Sequence, residues 1–187
     1  MGVGQGVVMM AQATTAERRQ ALPGDKLVSD PVGAVMHAVT IRVAPEIVWP
    51  WLVQMGAGRA GWYSYDWIDN DATPSATTLV PALQHLTVGD IMPSLPGATA
   101  SFRVAAIAPF RDLVLTVPSA TGSILASWEF CLEPTGDGQT RLMVRGHVGS
   151  LWPGGRETQL PQSPREHLKV PRGSFPVKTE RVAAAPP

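Results

Sequence analysis

One histidine lies within an apolar, strand-like segment, where an imidazole can do chemistry. His37 alternates with Val35, Val39 and Ile41, so these side chains share one face of the strand. A histidine that faces an apolar cavity can hydrogen-bond a ligand or transfer a proton. A lone histidine in such a pattern is more often a satisfied core residue, and the spacing alone leaves both roles open.

A second group of candidates lies between positions 54 and 67. Aromatic rings with polar ends suit the mouth of a cavity that holds an amphipathic ligand. Asp66 and Arg59 can pair with each other or contact a polar head group. The alternative is that the rings pack helices against a sheet, which we favour for Trp67. The ligand-binding candidates in this group are Gln54, Arg59, Trp62, Tyr63, Tyr65 and Asp66.

Trp128 is a further candidate, in the middle of an apolar strand. Alternation places it on the same face as Ala126 and Phe130, where it either lines a cavity or packs the core. Cys131 on the opposite face has no basic neighbour or helix N-terminus to activate its thiol, so we interpret it as inert.

Composition excludes several other classes of function. The four histidines are scattered and the chain has one cysteine, so the sequence predicts no metal site, no cofactor and no disulfide. The formal net charge of +0 argues against binding nucleic acid. No apolar run is long enough for stable membrane insertion, and the N-terminus lacks the features of a secretory signal, so we expect a cytoplasmic protein.

The apolar spacing predicts the elements that must position these residues. A strand over 34–43 leads into a helix over 45–55, which Pro45 and Glu46 begin and in which Pro50 should cause a kink or a restart. A short helix should follow from Ser64 to about residue 70. Five antiparallel strands should then cover 88–92, 101–107, 111–117, 123–132 and 140–148, with a hairpin turn at 136–138.

The two ends of the chain differ in composition from this domain, which we place at 31–148. Residues 1–30 are rich in Gly and Ala and predict a flexible leader. Residues 149–187 hold six basic and three acidic residues, with seven prolines between Leu151 and Pro187. We expect a poorly ordered tail there.

Specific motifs resemble the START-like superfamily, also called the polyketide cyclase/dehydrase and lipid-transport (SRPBCC) superfamily. The segment 40–49 resembles the strand-to-helix entry of the superfamily. The tryptophan-rich runs 49–56 and 58–67, and Leu86-Thr87-Val88-Gly89-Asp90, are similar to one uncharacterised bacterial branch of it. The resemblance implies an α+β helix-grip fold, in which a curved antiparallel sheet and a long C-terminal helix enclose an apolar cavity. The proline-rich tail departs from that pattern, because it stands where the long helix should follow.

The sequence therefore favours a protein that binds a small hydrophobic molecule, such as a lipid or polyketide, over an enzyme. One alternative is a cyclase, aromatase or dehydratase that needs no cofactor, with His37, Tyr63, Tyr65 or Asp66 moving a proton. Another is a protein-interaction or regulatory module. A sheet face without its helix exposes apolar surface, so we expect marginal stability, self-association as a homo-oligomer, or aggregation.

Overall fold

The computed structural model of the protein describes residues 12–63, 70–95 and 101–152. Within them the chain forms two α-helices, one short 3-10 helix and six β-strands. In chain order these are α1 (Thr15–Arg19), β1 (Pro31–Ile41), α2 (Pro45–Val53), the 3-10 helix Pro81–Leu83, β2 (Ile91–Pro93), β3 (Ser101–Ala108), β4 (Asp112–Pro118), β5 (Ile124–Pro134) and β6 (Thr140–Gly149).

The six strands form one antiparallel sheet in the order β1-β6-β5-β4-β3-β2. The strands from β2 to β6 follow one another as a meander, and β1 closes the order beside β6. Register shifts interrupt the pairing between Val104 and Ala106 and between Val117 and Pro118, and such bulges bend a strand. The predicted α+β class with a curved antiparallel sheet is confirmed.

One side of the sheet, which we call the inner face, carries α2. Pro45 begins this helix with its fixed φ, and Glu46 lies in the first turn, where the helix dipole favours negative charge. The helix continues through Pro50 as one element, so the predicted restart does not occur. Apolar side chains of α2 pack on the centre of the sheet, and the buried core they share includes Val48, Trp49, Leu52, Val53, Leu113, Leu115, Phe130 and Leu132.

The opposite side, the outer face, is covered by residues 12–30, which we call the N-terminal cover. A capping box starts α1, because Thr14 Oγ1 accepts from Glu17 N while the Glu17 carboxylate accepts from Thr14 N. Ala13 and Leu22 pack with Met36, Cys131 and Met143 of the sheet. A loose leader was expected over 1–30, but from residue 12 on the chain is docked, since a sheet face with apolar positions must be covered.

The other predicted elements agree with the structure or lie outside the described residues. The strand expected over 88–92 begins only at Ile91, because Asp90 closes a turn by accepting a hydrogen bond from Thr87 N at 2.8 Å. The helix expected from Ser64 lies mostly outside the described residues, and most of the tail expected over 149–187 does too. Among the described residues, no helix is long and apolar enough to cross a membrane.

Candidate ligand-binding site

An open apolar cavity lies on the inner face of the sheet, next to the part of this face that α2 covers. Its volume is about 190 Å³. Val35 on the edge strand is 41% exposed there, although the residues around it are apolar. The lining consists of Gly33, Val35, Phe102, Val117, Ala126, Ser127, Trp128, Gly146, His147, Val148 and Trp152.

Small residues create this hollow in the floor of the sheet. Gly146 pairs with both Val35 and Trp128, so a side chain at this position would point to the inner face. A Cβ built on Gly146 would lie 4.0 Å from Cδ1 of Trp128, which is ordinary contact. The missing side chain of Gly146 and the short one of Ala126 therefore leave room beside the indole ring.

A cluster of aromatic rings forms the wall between the cavity and the α2 core. The ring centroids of Trp62 and Trp128 lie 5.5 Å apart, and Phe102 lies 5.5 Å from Trp62 and 5.6 Å from Trp128. Trp128 continues into the core, with its centroid 4.7 Å from that of Phe130. Trp62 is fixed in place because its Nε1 donates to Ser94 O at 2.9 Å. The wall is thus apolar, and one of its rings is positioned by a hydrogen bond, which suits a site for an apolar guest.

Gln54 and Tyr63, two further candidates, meet behind this wall in a buried polar network. The Gln54 side-chain amide donates to Tyr63 Oη and to Thr78 O, and its Oε1 accepts from Val80 N at 2.9 Å and from Gln84 Nε2 at 3.0 Å. Gln54 is fully buried. Burial raises the pKa of the Tyr63 phenol, against the opposing effect of the Gln54 hydrogen bond. The network ties the loop before the 3-10 helix to α2.

Replacing Gln54 with Met should lower the free energy of unfolding by about 2 kcal/mol, because the Val80 N–H and the Tyr63 hydroxyl lose their partners in a buried site. Urea unfolding monitored by circular dichroism measures this change. Gln84→Met is the matched control. Gln84 is half-buried, and its bonds to Pro50 O and Val80 O are long, 3.3 and 3.4 Å. Its 3.0 Å bond to Gln54 Oε1 is also lost, but that oxygen still accepts from Val80 N, so the loss of stability should be clearly smaller. Equal losses for the two variants would contradict this account.

The remaining sequence candidates have other positions. Arg59 closes the C-terminal end of α2, since its guanidinium donates to Met55 O and Val53 O at 2.9 Å. His37 lies on β1 opposite Val144, is exposed, and is not part of the cavity lining. Tyr65 and Asp66 lie outside the described residues. Of the sequence candidates, the structure therefore places Trp128 in the cavity lining, with Trp62 packed against it, and joins Gln54 to Tyr63.

Sequence reasoning missed several lining residues, chiefly Phe102, Val117, Gly146 and Val148. Strand alternation placed Phe102 on the same face as Val104. Knowledge of the cross-strand register would have placed Val117 opposite Ala126, on the face of Trp128. Gly146 could not be predicted as a lining residue, because the sequence does not show which side chains lie beside a glycine in a strand.

Comparisons with known proteins concern the fold. No family model matches the sequence, and no curated protein matches it. Among solved structures, CalU16 from Micromonospora echinospora is 17% identical, with a TM-score of 0.41 over 65% of this chain and 66% of that one, slightly less than two thirds of its length. Protein MLL2253 from Mesorhizobium loti is 19% identical, with a TM-score of 0.41 over 67% of this chain and 82% of that one. The Polyketide_cyc-like protein Cgl2372 from Corynebacterium glutamicum is 13% identical, with a TM-score of 0.37 over 66% and 69%.

The strand order and the position of α2 between β1 and the meander are those of a START-like fold. The curved antiparallel sheet that the sequence motifs implied is thus confirmed, whereas the position of the long C-terminal helix lies outside the described residues.

Proposed function

We propose that this protein binds a small apolar molecule in the cavity of the inner face. The observation that carries the proposal is the combination of an apolar hollow with a fixed aromatic wall beside it. A concave apolar pocket that stays accessible to solvent is the usual kind of site for a small apolar molecule. The guest would lie against Trp128, above Gly146.

The size of the cavity favours a compact guest or one end of a longer one. An engineered apolar cavity of about 150 Å³ in another protein accepts benzene. The cavity here is about 190 Å³ and is open on one side. We therefore expect single-ring or fused two-ring aromatic groups to enter, with any polar substituent directed to solvent.

A binding role is favoured over the enzymatic alternative by the positions of the described candidates. Tyr63 is engaged by Gln54, and His37 lies outside the lining. Among the described residues that line the cavity, His147 is the one with a titratable side chain, and alternation with Gly146 directs that side chain to the outer face. Its Nε2 lies 3.9 Å from Asp25 Oδ1, on the side of the N-terminal cover.

Gly146→Val should weaken binding of naphthalene at least tenfold, because the added side chain occupies the hollow beside Trp128. Valine suits a strand and the backbone at Gly146 is not left-handed, so the fold should survive. Saturation-transfer NMR with benzene and naphthalene measures the binding, and native mass spectrometry of the purified protein tests for a retained guest.

Gly136→Val is the matched control. Gly136 lies in the turn between β5 and β6, and a Cβ there would meet no atom within 4 Å. This variant should bind as the wild type does. If Gly146→Val retains full affinity while folded, the guest does not lie in this cavity and the proposal is wrong.

A further inference from the structure

The N-terminal cover is attached to the outer face chiefly by two arginines of β6. Arg145 is buried, and its guanidinium donates to both carboxylate oxygens of Asp25 at 2.8 Å. It also donates to Gln20 O and Glu17 O at 2.8 Å. Arg141 binds Glu17 through Nε at 2.7 Å. Charged hydrogen bonds of this kind are the strongest that hold the cover in place.

A buried carboxyl group lies directly beneath the turn of this cover. Glu129 of β5 is 2% exposed, and its Oε2 accepts from Gly24 N at 2.9 Å. Its other oxygen, Oε1, has no hydrogen-bond partner among the described residues. A buried carboxylate with a single hydrogen bond is unfavourable, whereas a protonated carboxyl group tolerates the same place.

The charges that face Glu129 do not compensate it. Asp112 of β4 and Asp25 of the cover both oppose its ionisation, and Arg145 of β6 is the one favourable charge among the groups that act on it. Within the described residues, the guanidinium of Arg145 donates to the cover and to Met36 Sδ, and not to Glu129. Two further titratable groups lie close by. His147 of β6 faces Asp25, and Cys131 lies two residues after Glu129 on β5.

We propose that the N-terminal cover is a pH-controlled lid on the outer face, which is docked while Glu129 carries a proton and is released when Glu129 ionises. Release uncovers the apolar surface formed by Met36, Ala38, Cys131 and Met143, beneath Ala13 and Leu22. This role is independent of the inner-face cavity, which lies on the other side of the sheet.

The pH range of release follows from the groups involved. Burial raises the pKa of Glu129 from 4.5 to about 7. A carboxyl group with a raised pKa in the docked state stabilises docking below its ordinary pKa, and this contribution is lost as the pH rises toward 7. The hydrogen bond from Arg141 lowers the pKa of Glu17 to about 2, so its contribution is lost only in acid. Burial lowers the pKa of His147, so charging of this ring opposes docking as the pH falls below its ordinary pKa, but its pKa shift is smaller than that of Glu129. Docking should therefore weaken as the pH rises toward neutral.

Cys131 reports the release directly. It is the chain's single cysteine and is buried under the cover, and burial raises the pKa of its thiol, so it should react only when the cover opens. The full-length protein is labelled with a dithiodipyridine, and each rate is divided by that of the denatured chain at the same pH. Between about pH 5.5 and pH 8.5 we expect this ratio to rise on the order of tenfold.

Glu129→Gln removes the titration of Glu129 while preserving the shape of the side chain, so its labelling ratio should lose the rise between about pH 5.5 and pH 8.5. Glu46→Gln alters an exposed carboxyl group on α2 and should keep the wild-type pH dependence. Gly24→Ala provides a second variant, because its Cβ would lie 2.7 Å from Glu129 Oε2 and push the turn away. That variant should label rapidly at every pH.

Hydrogen–deuterium exchange separates release of the cover from unfolding of the domain. Loss of protection in residues 12–30 with retained protection in β4 and β5 at pH 8.5 would support the lid. A flat labelling profile in the wild type, an unchanged slope in Glu129→Gln, or simultaneous loss of protection in cover and sheet would each overturn it.

Discussion

Arg145→Met lowers the free energy of unfolding by about 3 kcal/mol, which would be a large share of the net stability of a domain of this size. Removing the guanidinium takes away two hydrogen bonds to Asp25 and one each to Glu17 O and Gln20 O in a partly buried site, and Asp25 keeps its bond from Leu22 N. Burial acts to raise the pKa of Asp25, but the hydrogen bonds from Leu22 N and Arg145 outweigh it and hold that pKa below its usual value. This stabilising contribution is present above the usual pKa of Asp25 and is lost as the pH falls.

The matched control is Arg111→Met, which breaks a second Arg–Asp pair among the described residues. Arg111 Nε lies 3.2 Å from Asp112 Oδ2, but its side chain is 74% exposed, against 7% for Arg145. Because exposed ion pairs contribute little, we expect a change within about 0.5 kcal/mol. Chemical denaturation at pH 6 measures both variants. If Arg145→Met lowers the free energy of unfolding as little as Arg111→Met does, the contacts of Arg145 with the N-terminal cover do not stabilise the domain.

Leu115→Ala should lower the free energy of unfolding by about 3 kcal/mol, because Leu115 is fully buried on the central strand β4 and truncation leaves a cavity. The same change at Leu79, which is 45% exposed, should cost less than about 1 kcal/mol. Thermal unfolding followed by circular dichroism checks the difference.

Leu115 also pairs with Trp128, so the new void would adjoin the proposed binding site. Benzene at saturating concentration should then recover part of the lost thermal stability of Leu115→Ala, because a guest that binds only the folded state stabilises it. Benzene should have no such effect in a Leu115→Ala, Gly146→Val double variant. Recovery in both would show that benzene binds elsewhere.

Much of the fold could be predicted from local patterns. The two glycines that flank Asp137 predicted the hairpin between β5 and β6, and the Ala-Pro-Glu entry predicted the first turn of α2. These signals are local, since each depends on backbone preferences within a few residues. The strand at 88–92 was shortened by a local turn that Asp90 forms with its own side chain, which a propensity pattern does not distinguish from a strand start.

The candidate site was predictable only in part. The aromatic character of Trp62 and Trp128 was visible, but their contact joins residues 66 positions apart in the sequence, and only the packing of the tryptophan-rich segment on the sheet brings the rings together. His37 shared the correct face with Val35, yet β1 is an edge strand. Its side chain is therefore exposed rather than enclosed.

Sequence alone determined the class of this protein: an α+β domain with alternating apolar strands, an aromatic segment after its helix, and no charge excess for nucleic acid. Tertiary structure decided which apolar faces are covered. It docked residues 12–30 on the outer face, buried Glu129 beneath them, and left the hollow at Gly146 open on the inner face. The physical reason is that burial depends on which distant segments pack together, whereas alternation specifies only the side of a strand to which each residue points.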